Sequence, residues 1–220
     1  MSRSGLLWCV ALGLVVAAAL PFASARATDA ATIASQGNGK GAAPCVACHG
    51  ANGGGQATGN PRLAGLDAAY LRRQLDDFAS GTRASPVMSA TAGALDDGER
   101  QAIATYYSRL PVPSALRRPA ATVPDAGAEL ATRGRWSKQV PGCVQCHGLG
   151  GIGVGANFPP LAGQPAAYIE SQLRAWQRGT RHNDPLQLMQ HLSAALSDQD
   201  IHDVAAWFAV QPVVAQGAAP

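Results

Sequence analysis

The chain contains the pattern C-x-x-C-H twice, as Cys45-Val46-Ala47-Cys48-His49 and as Cys143-Val144-Gln145-Cys146-His147. This pattern is the attachment signature of c-type haem: two thiols form thioethers to the porphyrin, and the adjacent histidine becomes an iron ligand. After the initiator only two methionines remain, Met88 and Met189, each about forty residues beyond one motif. A methionine on the far side of the porphyrin completes the His/Met ligation of electron-carrying haem proteins. The expected cofactors are therefore two covalently bound haem c groups. Cys45, Cys48, Cys143 and Cys146 would attach them, and the iron ligands would be His49 with Met88 and His147 with Met189. For the second iron His191 is a rival to Met189, but copy one has Ala90 at the corresponding place.

The cysteine count supports this reading. Residues 1–25 read as a signal peptide, with Arg3, an apolar run from Leu6 to Leu20 and the small-residue site Ala23-Ser24-Ala25. The run is too short to span a bilayer, so no transmembrane anchor is expected in the mature chain. Cys9 leaves with the leader, and all four remaining cysteines lie in the two motifs. Disulfides within the motifs would close strained rings, and a zinc site built from both pairs leaves the following histidines unexplained. No thiol remains for nucleophilic or persulfide chemistry. Residues 26–220 contain 16 Lys+Arg and 14 Asp+Glu. Each haem adds two propionates, so the loaded protein lacks the concentrated basic face that nucleic acid requires.

The two motifs belong to an internal repeat. At an offset of 98 residues, Pro61-Arg62-Leu63-Ala64-Gly65 matches Pro159-Pro160-Leu161-Ala162-Gly163. Ala68-Ala69-Tyr70, Gln74-Leu75 and Gly81-Thr82-Arg83 match Ala166-Ala167-Tyr168, Gln172-Leu173 and Gly179-Thr180-Arg181. Copy two then gains three residues around His182 to Asp184, after which Met88 falls on Met189. Leu71, Leu75 and Phe78 share one helical face, as do Ile169, Leu173 and Trp176. Gly81 and Gly179 mark helix stops. Asp96 with Glu99 and Ser197 with Asp200 have capping-box spacing ahead of each final helix. The expected fold is all-α, with two tandem domains. The N-terminal domain is placed at 26–110, a proline-rich linker at 111–124, and the C-terminal domain at 125–220 with a loose tail after Pro212.

Other residues fit around the porphyrins. The glycine-rich stretches after each motif lack the Lys-Ser/Thr ending of a phosphate loop and instead let backbone bend around a haem edge. Pro61 and Pro160 are placed to accept, through their carbonyls, the ring N–H of the haem histidines. Arg83 and Arg181 would either pair with propionates or sit exposed at helix ends. Tyr70, Tyr168 and Trp176 read as haem-packing aromatics, and His182 and His202 as solvent residues.

Together these features resemble the di-haem cytochromes of the c-four type over nearly all of the mature chain. The resemblance rests on the paired motifs, on the Leu-Ala-Gly…Tyr…Gln-Leu…Gly-Thr-Arg string in both halves, and on a methionine before each final helix. It implies two class I cytochrome c domains about a pseudo-twofold axis, with propionate edges facing across the interface. It also implies a periplasmic, non-enzymatic electron carrier. Such a carrier links a quinol-oxidising complex to a terminal oxidase of the cbb haem–copper type. The same module also serves as the electron-accepting subunit of a dehydrogenase, as in flavocytochrome c sulfide dehydrogenase. A di-haem peroxidase or a thiosulfate dehydrogenase would need an open or Cys/His-ligated iron, and no spare cysteine exists for the latter. One departure is Leu66, where the family commonly has the glutamine that Gln164 keeps.

Overall fold

The computed structural model describes residues 29–113, 123 and 125–213; the expected leader, the Arg117-Arg118 stretch and the residues after Val213 lie outside them. Among the described residues helices are the dominant element, and the one sheet is a two-stranded ribbon. Domain one holds α1 (Ala30–Gln36), α2 (Val46–His49), α3 (Ala68–Ser80), α4 (Pro86–Gly93) and α5 (Asp97–Arg109). Domain two repeats the plan with α6 (Asp125–Thr132), α7 (Val144–His147), α8 (Ala166–Gln177), α9 (Leu188–Ala194) and α10 (Asp198–Ala209). It adds the antiparallel pair β1 (Gly134–Arg135) and β2 (Val140–Pro141) between α6 and α7.

Local chemistry sets the ends of these helices. The Asp67 carboxylate accepts from the Tyr70 amide at the start of α3, and Gly81 closes that helix in the left-handed region at φ 86°. In copy two the stop comes slightly earlier: α8 ends at Gln177, Arg178 is its cap, and Gly179 follows. Both capping boxes form. Asp96 and Glu99 exchange bonds at α5, and Ser197 and Asp200 do so at α10.

In each domain the first long helix packs against the last, α3 on α5 and α8 on α10. In domain one Ile33, Leu66, Leu71, Leu95, Ile103 and Tyr107 form a single core. The α5 stripe is graded rather than uniform: Ile103 and Tyr107 are buried, while Tyr106 and Leu110 are half-buried on the flank. Domain two matches it with Leu130, Val140, Ile169, Leu173, Ile201 and Phe208. Burying a side chain of this size contributes about 1.5–3 kcal/mol. Where α6 crosses α10 the backbones nearly touch. A Cβ added at Gly127 would fall 2.2 Å from the Asp203 carbonyl oxygen, so only glycine lets this crossing close.

The domains meet through equivalent segments. Arg83 and Arg181 form an antiparallel bridge. The Ala84 amide donates to the Thr180 carbonyl and the His182 amide to the Thr82 carbonyl, both at 3.1 Å. Reciprocal bonds between matching residues are the mark of a local twofold relation.

Candidate haem site

One continuous cavity of about 930 Å³ runs through both domains, and all eight expected haem residues line it. In domain one these are Cys45, Cys48, His49 and Met88; in domain two, Cys143, Cys146, His147 and Met189. Leu71, Leu75, Ile103 and Leu95 supply apolar wall on one side, and Ile169, Leu173, Val204 and Leu196 on the other. His191, the rival to Met189, is exposed and does not line the cavity.

Each motif folds as a single helical turn, which places its histidine facing inward. His49 Nδ1 lies 2.9 Å from the Pro61 carbonyl oxygen, and His147 Nδ1 lies 2.8 Å from that of Pro159. Pro159, not Pro160, is thus the acceptor in copy two. The repeat pairs Pro61 with Pro159, and the doubled proline misdirected the expectation by one position. Pro160 instead packs its ring over Gly153. Burial pushes both imidazoles below their ordinary pKa, and the proline carbonyls partly offset it. Neutral rings donating Nδ1–H to carbonyls leave Nε2 free, the state a metal ligand needs. Burial raises the pKa of the Cys45 thiol and pushes that of Cys143 up to about 11, so both are neutral until attached.

The methionines reach the cavity from α4 and α9. The Ser85 hydroxyl accepts from the Met88 amide at 3.2 Å, with Pro86 opening the helix. The Asp184 carboxylate does the same for Met189 at 2.5 Å.

The cavity's polar wall lies where the domains meet. Arg83 and Arg181 are both buried, at 5% and 6% exposure, so the exposed alternative for them does not hold. Arg83 donates to Gln74 at 2.9 Å, to Gln172 at 2.7 Å and to the Tyr168 hydroxyl at 2.8 Å. Arg181 donates to Gln172 at 3.0 Å and to Gln74 at 3.2 Å. Each guanidinium also stacks on its own domain's aromatic, Arg83 over Phe78 at 4.4 Å and Arg181 over Trp176 at 3.9 Å. Among the described residues neither arginine forms an ion pair with a carboxylate. Buried cations of this kind need an anion. The Trp176 indole N–H is likewise buried without an acceptor on the cavity wall. Propionates entering from either domain would satisfy both needs, so the residues present fit haem. Tyr70 and Tyr168 do line the cavity, but Tyr168 also serves as a hydrogen-bond acceptor for Arg83. His182 and His202 are exposed, and His202 pairs with Glu170 at 3.0 Å.

Several residues that hold the interface were not singled out from sequence. Arg62 is 1% exposed and its guanidinium bridges the Ala64 and Ala162 carbonyls. Burial pulls its pKa down to about 10. The Gln164 side chain accepts from the Arg62 amide at 2.9 Å and donates to the Arg62 carbonyl at 3.1 Å. Asn183, inside the insertion of copy two, reaches Gln74 and Asp77 of domain one. The departure at Leu66 was the one available signal: Leu66 turns into the core of domain one, while Gln164 crosses to domain two's partner.

Two helical domains, each bringing a C-x-x-C-H turn and a methionine to a shared apolar cavity, define a two-domain c-type electron-transfer protein. The chain belongs to the cytochrome c family, whose model matches residues 36–110 and again 125–209. It is 50% identical over 198 residues to a thiosulfate dehydrogenase electron acceptor of Stutzerimonas stutzeri, covering 88% of this chain and 91% of that protein. It is 34% identical over 168 residues to cytochrome c4 of Pseudomonas aeruginosa, covering 76% and 83% of the two chains. Reduced recombinant cytochrome c4 from Pseudomonas stutzeri superimposes with a TM-score of 0.67 at 31% identity, over 76% of this chain and 93% of that one. The as-isolated thiosulfate dehydrogenase TsdBA of Marichromatium purpuratum superimposes with a TM-score of 0.78 at 42% identity. That match covers 86% of this chain but only 41% of the longer one. Cytochrome c domains imply covalently bound haem c, and the family places the chain among electron-transfer proteins rather than enzymes. Among the described residues no helix is long and apolar enough to cross a membrane.

Proposed function

We propose that this chain is a periplasmic two-haem cytochrome that accepts electrons from a thiosulfate-oxidising dehydrogenase. The observation that carries this reading is the 50% identity, across 88% of the chain, to a protein named as the electron acceptor of thiosulfate dehydrogenase. A second relative with the same name, from Thiomonas intermedia, is 48% identical over 174 residues. The electron-accepting subunit, rather than the carrier between a quinol-oxidising complex and a cbb-type oxidase, thereby becomes the first reading. The 34% identity to cytochrome c4 supports the carrier as the second, and the two roles are successive steps if the acceptor later reduces an oxidase.

When bound, haem supplies a one-electron iron couple. The chain's own residues prepare the rest. Cys45, Cys48, Cys143 and Cys146 attach it, and the neutral His49 and His147 offer Nε2. Met88 and Met189, which line the same cavity, would supply soft thioether ligands, which favour reduced iron and leave no open position for substrate. Arg83 and Arg181, buried where the domains meet, would pair with the propionates.

Stopped-flow absorbance of the purified holoprotein, mixed with thiosulfate and a catalytic amount of thiosulfate dehydrogenase, tests the first reading. Reduction at both haems within the enzyme's turnover time is expected. If this mixture leaves the protein oxidised while quinol-oxidising membranes reduce it, the carrier reading replaces the first.

A further inference from the structure

Copy two is three residues longer than copy one around His182 to Asp184. The insertion works in two directions. Asn183 turns to domain one, donating to Asp77 at 2.7 Å and to Gln74 at 3.0 Å. Asp184 turns to α9, where Oδ2 accepts from the Met189 amide at 2.5 Å and the Gln190 amide at 3.3 Å. In copy one the corresponding bond to the Met88 amide comes from the Ser85 hydroxyl. One methionine amide is therefore held by a carboxylate and the other by a neutral group. Asp184 also lines the cavity, and its Oδ1 is buried with no hydrogen-bond partner. Among the described residues it forms no ion pair.

We propose that Asp184 orders the two redox sites, holding the potential of the second domain's haem below that of the first. The proposal rests on the His/Met two-haem reading above. A fixed negative charge inside a weakly polar cavity stabilises the more positive, oxidised iron. A hydroxyl brings only a dipole. Two other charged groups also differ between the copies: Arg73 lines the cavity where copy two has Ser171 but is engaged by Ala156 and Asn157 of domain two, and Asp77, where copy two has Ala175, is engaged by Asn183 and does not line the cavity. Arg62 bridges Ala64 and Ala162, which are equivalent residues of the two domains, and Arg83 and Arg181 occupy equivalent places at their meeting line. Trp176 opposes the effect, since its N–H faces the second site where copy one has Phe78. It is a neutral donor set against a full charge, and the charge dominates. With this order, an electron taken up by domain two passes to domain one: one iron returns to its oxidised state as the other is reduced, with no further reactant. Domain two is then the entry side and domain one the exit.

Potentiometric titration of the holoprotein, followed by visible absorbance, resolves two one-electron waves. D184N keeps an oxygen acceptor for the Met189 amide and removes the charge. It should raise the lower wave and leave the upper one in place. S85D places the same charge in domain one and should lower the upper wave. The thioether–ferric charge-transfer band reports in each variant whether methionine ligation survives. The proposal is overturned if D184N moves neither wave, moves both equally or moves only the upper one. It is also overturned if D184N loses the band and S85D leaves both waves unmoved. Absence of two waves or of the band in the unmodified protein defeats the underlying His/Met reading instead, so the two failures are distinguishable.

Discussion

Replacing Gln164 with leucine, the residue copy one has at the matching position, tests how the two domains are held. The side chain is 3% exposed and forms a paired bond to the Arg62 backbone, accepting at 2.9 Å and donating at 3.1 Å. Leucine fills similar volume, so packing is nearly conserved. What changes is that the Arg62 amide and carbonyl remain buried and lose their partners. Each orphaned group costs about 1–3 kcal/mol, giving roughly 2–6 kcal/mol in all. That cost falls on the interface rather than on either domain, since both groups face across it. Urea denaturation of the holoprotein, followed at the haem bands and by far-ultraviolet circular dichroism, reads it out. The unmodified protein should unfold in one cooperative transition and Q164L in two, with the first transition moved to lower urea. A Q164L protein within about 0.5 kcal/mol of the original, still unfolding in one step, would refute the reasoning.

Other outcomes follow from the same geometry. Met189→Ala should abolish the thioether–ferric charge-transfer band of one haem, and Met88→Ala that of the other; persistence of the full band in the double variant sinks the ligand assignment. Gly127→Ala forces α6 away from the Asp203 carbonyl and should cost about 1–3 kcal/mol or more in domain two, measured as a lowered thermal midpoint. Bonds from Arg135 and the Ser197 cap outweigh burial and hold Asp200 below the usual carboxylate pKa. Its stabilising contribution is therefore complete above the unfolded-state value and is lost as pH falls through the lower folded value. D200N should flatten the acid limb of domain two's stability against pH, and an unchanged limb counts against that pair.

Much of the fold could be read from the sequence because the repeat checks itself. The haem motifs, the methionines and both capping boxes recur in register, and a helical face such as Leu71, Leu75 and Phe78 needs no knowledge of its partner. The short helices α1 and α6 were not anticipated, since each offers a single large apolar residue, Ile33 or Leu130, and is fixed by packing on α5 and α10. The interface was the least legible part. Arg62 and Gln164 are 102 residues apart, and nothing local to either announces the bond. The fate of Arg83 and Arg181 was undecided for a similar reason: a helix-end arginine looks the same whether water or another domain lies beyond it.

That interface has a further physical consequence. It buries Arg83 and Arg181 side by side, against amides, phenols and aromatic rings, with no carboxylate paired to either among the described residues. Two like charges brought together out of water oppose docking by several kcal/mol unless anions join them. The neutral glutamines Gln74 and Gln172 orient the guanidinium groups but cannot cancel their charge. Domain docking and cofactor attachment would therefore be linked, with propionates from both sides supplying the anions that the arginine pair lacks. The linkage predicts that R83M or R181M should weaken docking in the holoprotein, where the anions lose a partner, yet strengthen it in a chain lacking the four motif thiols. Small-angle scattering of the two forms measures this directly. If each substitution loosens both forms alike, the arginines act as ordinary packing residues, and the interface owes nothing to the cofactor's charge.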